Sequence, residues 1–309
     1  MKSHLLQALR KSLRETTRSR SCADVAKRNL PSKSSTEQRA PQTLTRIPHV
    51  TFLKRSNAIA ALTLAATMIA APAMADTKMP IKAHNVVLVH GLYADGSSWS
   101  EVIPLLQKGG LHVTAVQNPL TSFKDDVDAT ERALAQQNGP TVLVGHSYGG
   151  AVISEAGDDP KVSALVYIAA RAPEAGEDSA ALTKTFPATP ASMGIVHEGG
   201  FARLKEDAFI KDFVGDLPVD KARALYAVQQ PAADSLFTVK TTRAAWHNKP
   251  NWYAVSENDR TTSPDFERFL AKRMGATTVE LPSGHVSMIS HPHDVANLIL
   301  EAAGYPAEK

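Results

Sequence analysis

From Asn85 onward, short runs of β-branched and apolar residues alternate with longer stretches whose apolar positions recur at helical spacing. The short runs are 85–90 (NVVLVH), 112–117 (HVTAVQ), 141–145 (TVLVG), 163–169 (SALVYIA), 251–255 (NWYAV) and 277–281 (TTVEL). Runs of this length fit strands buried on both faces of a sheet. Between them, 100–108, 124–137, 149–156, 264–274 and 292–303 read as helices. Pro264 and Pro292 suit a first helical turn, where the missing N–H costs nothing. Strand–helix alternation predicts an α/β fold, with an about six-stranded, mostly parallel sheet and helices on both faces. The alternation breaks once. Residues 171–248 show helical pieces and no clear strand, and carry Phe186, Phe201, Phe209, Phe213, Tyr226 and Phe237. This stretch reads as a helical cap inserted over the C-terminal edge of the sheet.

The N-terminal quarter has a different character. Residues 1–75 hold five Lys, eight Arg and three acidic residues, a net +10, so the remaining chain carries −7 of the overall +3. Such asymmetry marks a basic tail or a targeting segment. Lys54-Arg55, the Ala/Leu/Ile-rich run 58–71 and Ala73-Met74-Ala75 match the charged, apolar and cleavage regions of a signal peptide over 50–75. The apolar run falls short of the roughly 20 residues that span a bilayer. Cleavage after Ala75 leaves a mature chain of 76–309, periplasmic or secreted, with no stable membrane insertion. Residues 1–49, rich in Ser, Thr, Arg and Gln, read as disordered or as an upstream extension. Few aromatics interleave with their charges, which disfavours a nucleic-acid arm. The only cysteine, Cys22, lies there too, so neither a disulfide framework nor a cysteine-based zinc cluster is available.

With the leader set aside, 76–309 reads as one domain with its cap at about 171–248, and the chemistry concentrates at strand ends. Gly145-His146-Ser147-Tyr148-Gly149 is a G-x-S-x-G set between a strand and a helix, the context of a nucleophile elbow. The tight turn strains the Ser147 backbone and requires small neighbours, supplied by Gly145 and Gly149. A serine nucleophile needs a base, and the base needs an orienting acid. His285, in Ser283-Gly284-His285 after the last strand, is the candidate base. Its loop should lie at the same sheet edge as Ser147. His291 and His293 lack a third ligand and read as helix-start residues; His146, His197 and His247 read as packed or polar. The acid should follow strand 251–255. Asp259 is preferred, Glu257 is the runner-up, and Asp265 reads as a first-turn helix acid favoured by the dipole. His90-Gly91-Leu92 ends the first strand. The Leu92 and Tyr148 N–H groups are the candidate oxyanion-hole donors, and Gly91 permits close backbone approach.

These pieces together resemble the α/β-hydrolase superfamily over residues 84–304, and within it the small esterases of the hydroxynitrile lyase and plant methylesterase group. The resemblance is carried by VLVHG with Trp99 downstream, GHSYGG, Asp259-Arg260, Pro264-Asp265-Phe266-Glu267-Arg268-Phe269 and GHVSMISHP. It implies a cofactor-free, metal-free serine hydrolase that cleaves small to medium carboxylic esters through an acyl-enzyme. Lyases of the group carry Thr at the position of Gly91 and Lys at that of Val286, so both departures favour the esterase side. Cofactor-free perhydrolases share HG-x7-W and the triad. Receptor-like members lack turnover, and an intact Ser147/Asp259/His285 set argues against that reading. The implied partner is a small-molecule ester, with no nucleic acid.

Overall fold

The computed structural model describes residues 81–306. The expected signal peptide over 50–75, its expected cleavage point after Ala75, the upstream 1–49 and Cys22 lie outside the described residues. The first half runs β1 (Asn85–Val89), α1 (Val102–Lys108), β2 (His112–Ala115), α2 (Phe123–Ala135), β3 (Thr141–His146), α3 (Gly149–Ala156) and β4 (Val162–Ile168). An insertion follows with α4 (Ser179–Thr183), β5 (Ile195–Glu198), β6 (Phe201–Leu204), α5 (Val219–Ala227) and β7 (Ala232–Ala233). The chain then returns through β8 (Asn251–Ser256), α6 (Pro264–Met274), β9 (Thr277–Leu281) and α7 (Pro292–Ala302).

The main sheet has the order β2-β1-β3-β4-β8-β9, and every neighbouring pair is parallel. The six strands fall where the apolar runs predict them. Their centre is dry: Val86 to Val89, Val142 to Val144 and Leu165 to Ile168 are almost fully buried. Each such Val, Leu or Ile contributes about 1.5–3 kcal/mol on leaving water. Tyr167 and Tyr253 stack across β4 and β8, with ring planes 4° apart. The Tyr253 hydroxyl donates to the Ala170 carbonyl at 2.6 Å, fixing the chain as it leaves β4. The α6 helix ends on Gly275, whose φ of +63° is the left-handed turn that closes many helices.

The insertion differs from the expected purely helical cap. It contains a small antiparallel sheet, β5-β6-β7, besides its helices. Gly199 and Gly200, both at positive φ, make the two-residue hairpin between β5 and β6. Along β6, Phe201 and Arg203 are exposed while Ala202 and Leu204 are buried, the alternation of a strand covered on one face. Among the described residues no helix is long and apolar enough to cross a membrane.

Candidate active site

Three strand ends converge at the C-terminal edge of the sheet. At the end of β3, Ser147 sits at φ +53°, a left-handed conformation unusual for a residue with a side chain. The strain is held by the surroundings. Ser147 N–H donates to the Ile168 carbonyl at 3.1 Å, and the Ser147 carbonyl accepts from Gly150 and Arg171 N–H at 3.0 Å each. The turn also needs glycine: a Cβ on Gly145 would meet the Gly149 carbonyl oxygen at 2.7 Å. Ser147 keeps some exposure while its neighbours are buried.

After β9 comes His285, 1% exposed. Its Nδ1–H donates to Asp259 Oδ2 at 2.5 Å. With Nδ1 so engaged, Nε2 is left as a buried nitrogen without a partner, an acceptor free to take a proton. Asp259 is itself fixed, because its Oδ1 accepts from Thr261 and Thr262 N–H at 2.6 and 2.8 Å. The two rival carboxylates lie elsewhere. Glu257 is exposed, and so is Asp265, which pairs with Arg268. Of the preferred Asp259, the runner-up Glu257 and Asp265, the structure brings only Asp259 to His285.

After β1, Gly91 abuts the serine: a Cβ there would lie 2.7 Å from Ser147 Cβ. The amides of Leu92 and Tyr148 donate no hydrogen bond to any backbone or side-chain acceptor among the described residues. His90 tethers this loop. Its Nδ1–H donates to the Gly91 carbonyl at 2.9 Å and its Nε2 accepts from Asn118 N–H at 2.9 Å, while Asn118 Nδ2 donates back to the His90 carbonyl. Burial lowers the His90 pKa, in keeping with a neutral ring in this pattern. His146 plays a comparable role on the base. Its Nε2–H donates to the His285 carbonyl at 3.0 Å, and burial, then the neighbouring His285, holds its pKa well below the usual imidazole range.

Sequence reasoning missed several residues that the tertiary structure brings here. Phe213, from the insertion, packs its ring 5.2 Å from that of His285 and edge-on to Tyr93. Phe213, Tyr93, Phe209, Val286 and Ile289 line a narrow apolar cavity. The same segment of the insertion is pinned to both catalytic loops. Arg260 pairs with Asp212 at 2.7 Å, and Asp216 accepts from Gly284 N–H at 2.8 Å. His291, His293, His197 and His247 belong to no metal-holding cluster among the described residues.

A second carboxylate lies under the acid. Glu267, on α6, is fully buried and accepts from Ser256 N–H at 2.9 Å, while its Oε1 has no donor. Burial, then the Asp259 carboxyl beside it, pushes its pKa well above the carboxylate range. Asp259 has three donors and Glu267 one, so the raised pKa falls on Glu267. The sign of the linkage follows. Folding binds a proton at this site, so the contribution of Glu267 to stability is fully present below its unfolded pKa of about 4.3 and is lost as pH rises through the raised folded value. The unfolding free energy of the native chain relative to Glu267→Gln should therefore fall from pH 5 to pH 8, by at most about 1.4 kcal/mol per pH unit. A flat difference would mean that Glu267 is ionised.

The fold has counterparts among known proteins. A model of the Alpha/beta hydrolase family matches residues 86–298. An alpha/beta hydrolase of Aspergillus novofumigatus is 26% identical over 247 residues, covering 72% of this chain and 98% of its own. A carbendazim hydrolyzing esterase of Nocardioides sp. is 26% identical over 254 residues, covering 69% and 96%. Among solved structures, a pyrethroid hydrolase from Sphingobium faniae superposes with a TM-score of 0.62 at 24% identity, covering 74% of this chain and all of that one. Polyneuridine aldehyde esterase gives 0.62 at 21% identity, covering 71% and 98%.

Proposed function

We propose that this chain, which belongs to the alpha/beta hydrolase family, is a serine carboxylesterase that cleaves small to medium esters through an acyl-enzyme. The observation that carries the reading is the His285–Asp259 pair, whose remaining imidazole nitrogen is free, at the same sheet edge as a serine held at positive φ. His285 Nε2 takes the Ser147 proton as Oγ attacks the ester carbonyl. Asp259 keeps the proton on Nδ1 and stabilises the imidazolium that forms. The free Leu92 and Tyr148 amides receive the oxyanion, a contribution of about 2.7–4 kcal/mol per donor in a site of this kind. His285 then returns its proton to the leaving alcohol. It next activates water for deacylation, releasing the acid.

Relatives named for ester hydrolysis, including the carbendazim esterase and a methylesterase of Arabidopsis thaliana, support the esterase side. An alpha-hydroxynitrile lyase of the same plant is 25% identical, so cyanohydrin cleavage is the competing chemistry. Gly91 speaks against it, since the space beside Ser147 admits no threonine side chain without movement.

The deciding experiment offers the purified protein 4-nitrophenyl butyrate and mandelonitrile in parallel. The expected result is ester turnover with a butyryl adduct on Ser147 in rapidly quenched samples, and no cyanide release. Cyanide release without ester turnover would replace the esterase by a lyase, and ligand-induced stabilisation without any turnover would leave a binding protein. The sequence pattern over 50–75 is read as a signal peptide, which proposes a mature enzyme beginning at Asp76 in the periplasm or outside the cell; N-terminal sequencing of the exported protein tests it.

A further inference from the structure

Beside the elbow lies a cation that the fold does not neutralise. Arg171 follows β4, and its N–H is bonded to the Ser147 carbonyl, so its backbone is fixed against the nucleophile. Its charge acts on the phenols of Tyr93 and Tyr148, and burial lowers its pKa below the usual guanidinium value. Among the described residues the guanidinium makes no hydrogen bond and no ion pair. The carboxylates near these phenols are engaged elsewhere: Asp126 accepts from the Tyr148 hydroxyl and from Leu120 N–H, and Asp234 pairs with His197. Arg171 nevertheless retains some accessible surface.

Tyr93 presents a second unused donor to the same region. Its hydroxyl is buried and has no partner. Burial raises its pKa far above the usual phenol value, which keeps it protonated and donating. Its ring lines the apolar cavity beside His285 with Phe213 and Val286. A partly buried cation and a buried phenol that both lack partners gain from an anion that supplies one. A planar guanidinium with its fork of N–H donors matches an ionised carboxylate, and the Tyr93 O–H supplies a third donor to the same anion.

We infer that Arg171 and Tyr93 bind a carboxylate on the substrate, so that the preferred substrates are esters carrying an additional anionic carboxyl group. The inference rests on the serine-esterase reading above. The anion can sit on the acyl or the alcohol side of the scissile bond, and both place the same group against the same donors.

Two matched pairs separate these cases: mono-4-nitrophenyl adipate against 4-nitrophenyl hexanoate, and 4-carboxyphenyl butyrate against phenyl butyrate. For each ester, kcat/KM is divided by its rate with hydroxide to remove intrinsic reactivity. The native protein should favour the anionic member of at least one pair by about tenfold or more, the equivalent of about 1.4 kcal/mol. Arg171→Leu should reduce that preference at least tenfold, and Arg171→Lys should retain part of it. No preference in either pair by the native protein overturns the inference, whatever the variants do. So does a preference unchanged in Arg171→Leu. Turnover of all four esters without preference removes the role of Arg171 and leaves the esterase standing; absence of any Ser147-dependent turnover removes both.

Discussion

Ser147→Ala should lower kcat on 4-nitrophenyl butyrate by about 10⁶-fold while the protein remains folded. The size of the effect follows from the way the site is built. Removing Oγ removes the nucleophile, but the His285–Asp259 pair, the Leu92 and Tyr148 amides and the Gly91 approach are all backbone or buried side-chain features that do not depend on Oγ. The residue keeps some exposure and its hydroxyl makes no hydrogen bond within the elbow, so the Tm should hardly change. What remains should be catalysis by oriented binding and the oxyanion donors alone, about 10³–10⁴ over water. His285→Ala should fall about as far, and the double variant little further, because nucleophile and base act as one unit. Stopped-flow release of nitrophenolate with the variant's thermal melt measures both quantities. A kcat within tenfold of the native value would remove Ser147 from the reaction.

The parts of this site that could be read from the chain are those in which local sequence and local structure coincide. The elbow is a strand, the two residues Ser147 and Tyr148 and a helix in unbroken succession, and Ser147 needs nothing distant to adopt it. His285 sits directly after a strand of legible pattern. The core sheet is legible for the same reason: Val86 to Val89 and Val142 to Val144 are buried on both faces and therefore appear as uninterrupted apolar runs. The small sheet of the insertion is not, since β7 has two residues and β5 has four, too few to establish a period. Gly199-Gly200 between Glu198 and Phe201 was its one local signal. Arg171, Tyr93, Phe213 and Glu267 were out of reach because each acquires its role from a partner far away in sequence. Glu267 illustrates this: on a helix wheel it is one more acidic first-turn residue, yet the fold buries it completely against the acid loop.

The same distance between sequence and geometry governs the acid. Asp259→Asn should lower kcat by about 10⁴-fold, whereas Glu257→Gln should leave it within a few-fold of the native value. The two residues stand two positions apart after β8, and both are carboxylates in a loop at the correct edge. They separate in three dimensions because Asp259 Oδ1 is captured by the Thr261 and Thr262 amides, which turns Oδ2 onto His285 Nδ1, while the Glu257 side chain is left in water. Asparagine in place of Asp259 fits the volume. If its oxygen keeps the two amide bonds, its NH₂ must face Nδ1, and the imidazole proton moves to Nε2, where it blocks proton abstraction from Ser147. The loss should be in kcat rather than in stability, and it should lessen at high pH, where hydroxide or ionised Ser147 bypasses the base. Glu267 sharpens the test. With a protonated Glu267 against Asp259, the acid is held by donors on every side, so Glu267→Gln, which keeps a donor there, should preserve most of kcat. Glu267→Leu, which removes it, should lower kcat and displace the acidic limb of the pH–rate profile. Equal losses in Asp259→Asn and Glu257→Gln would show that the loop rearranges during turnover, and would return the choice of acid to an open question.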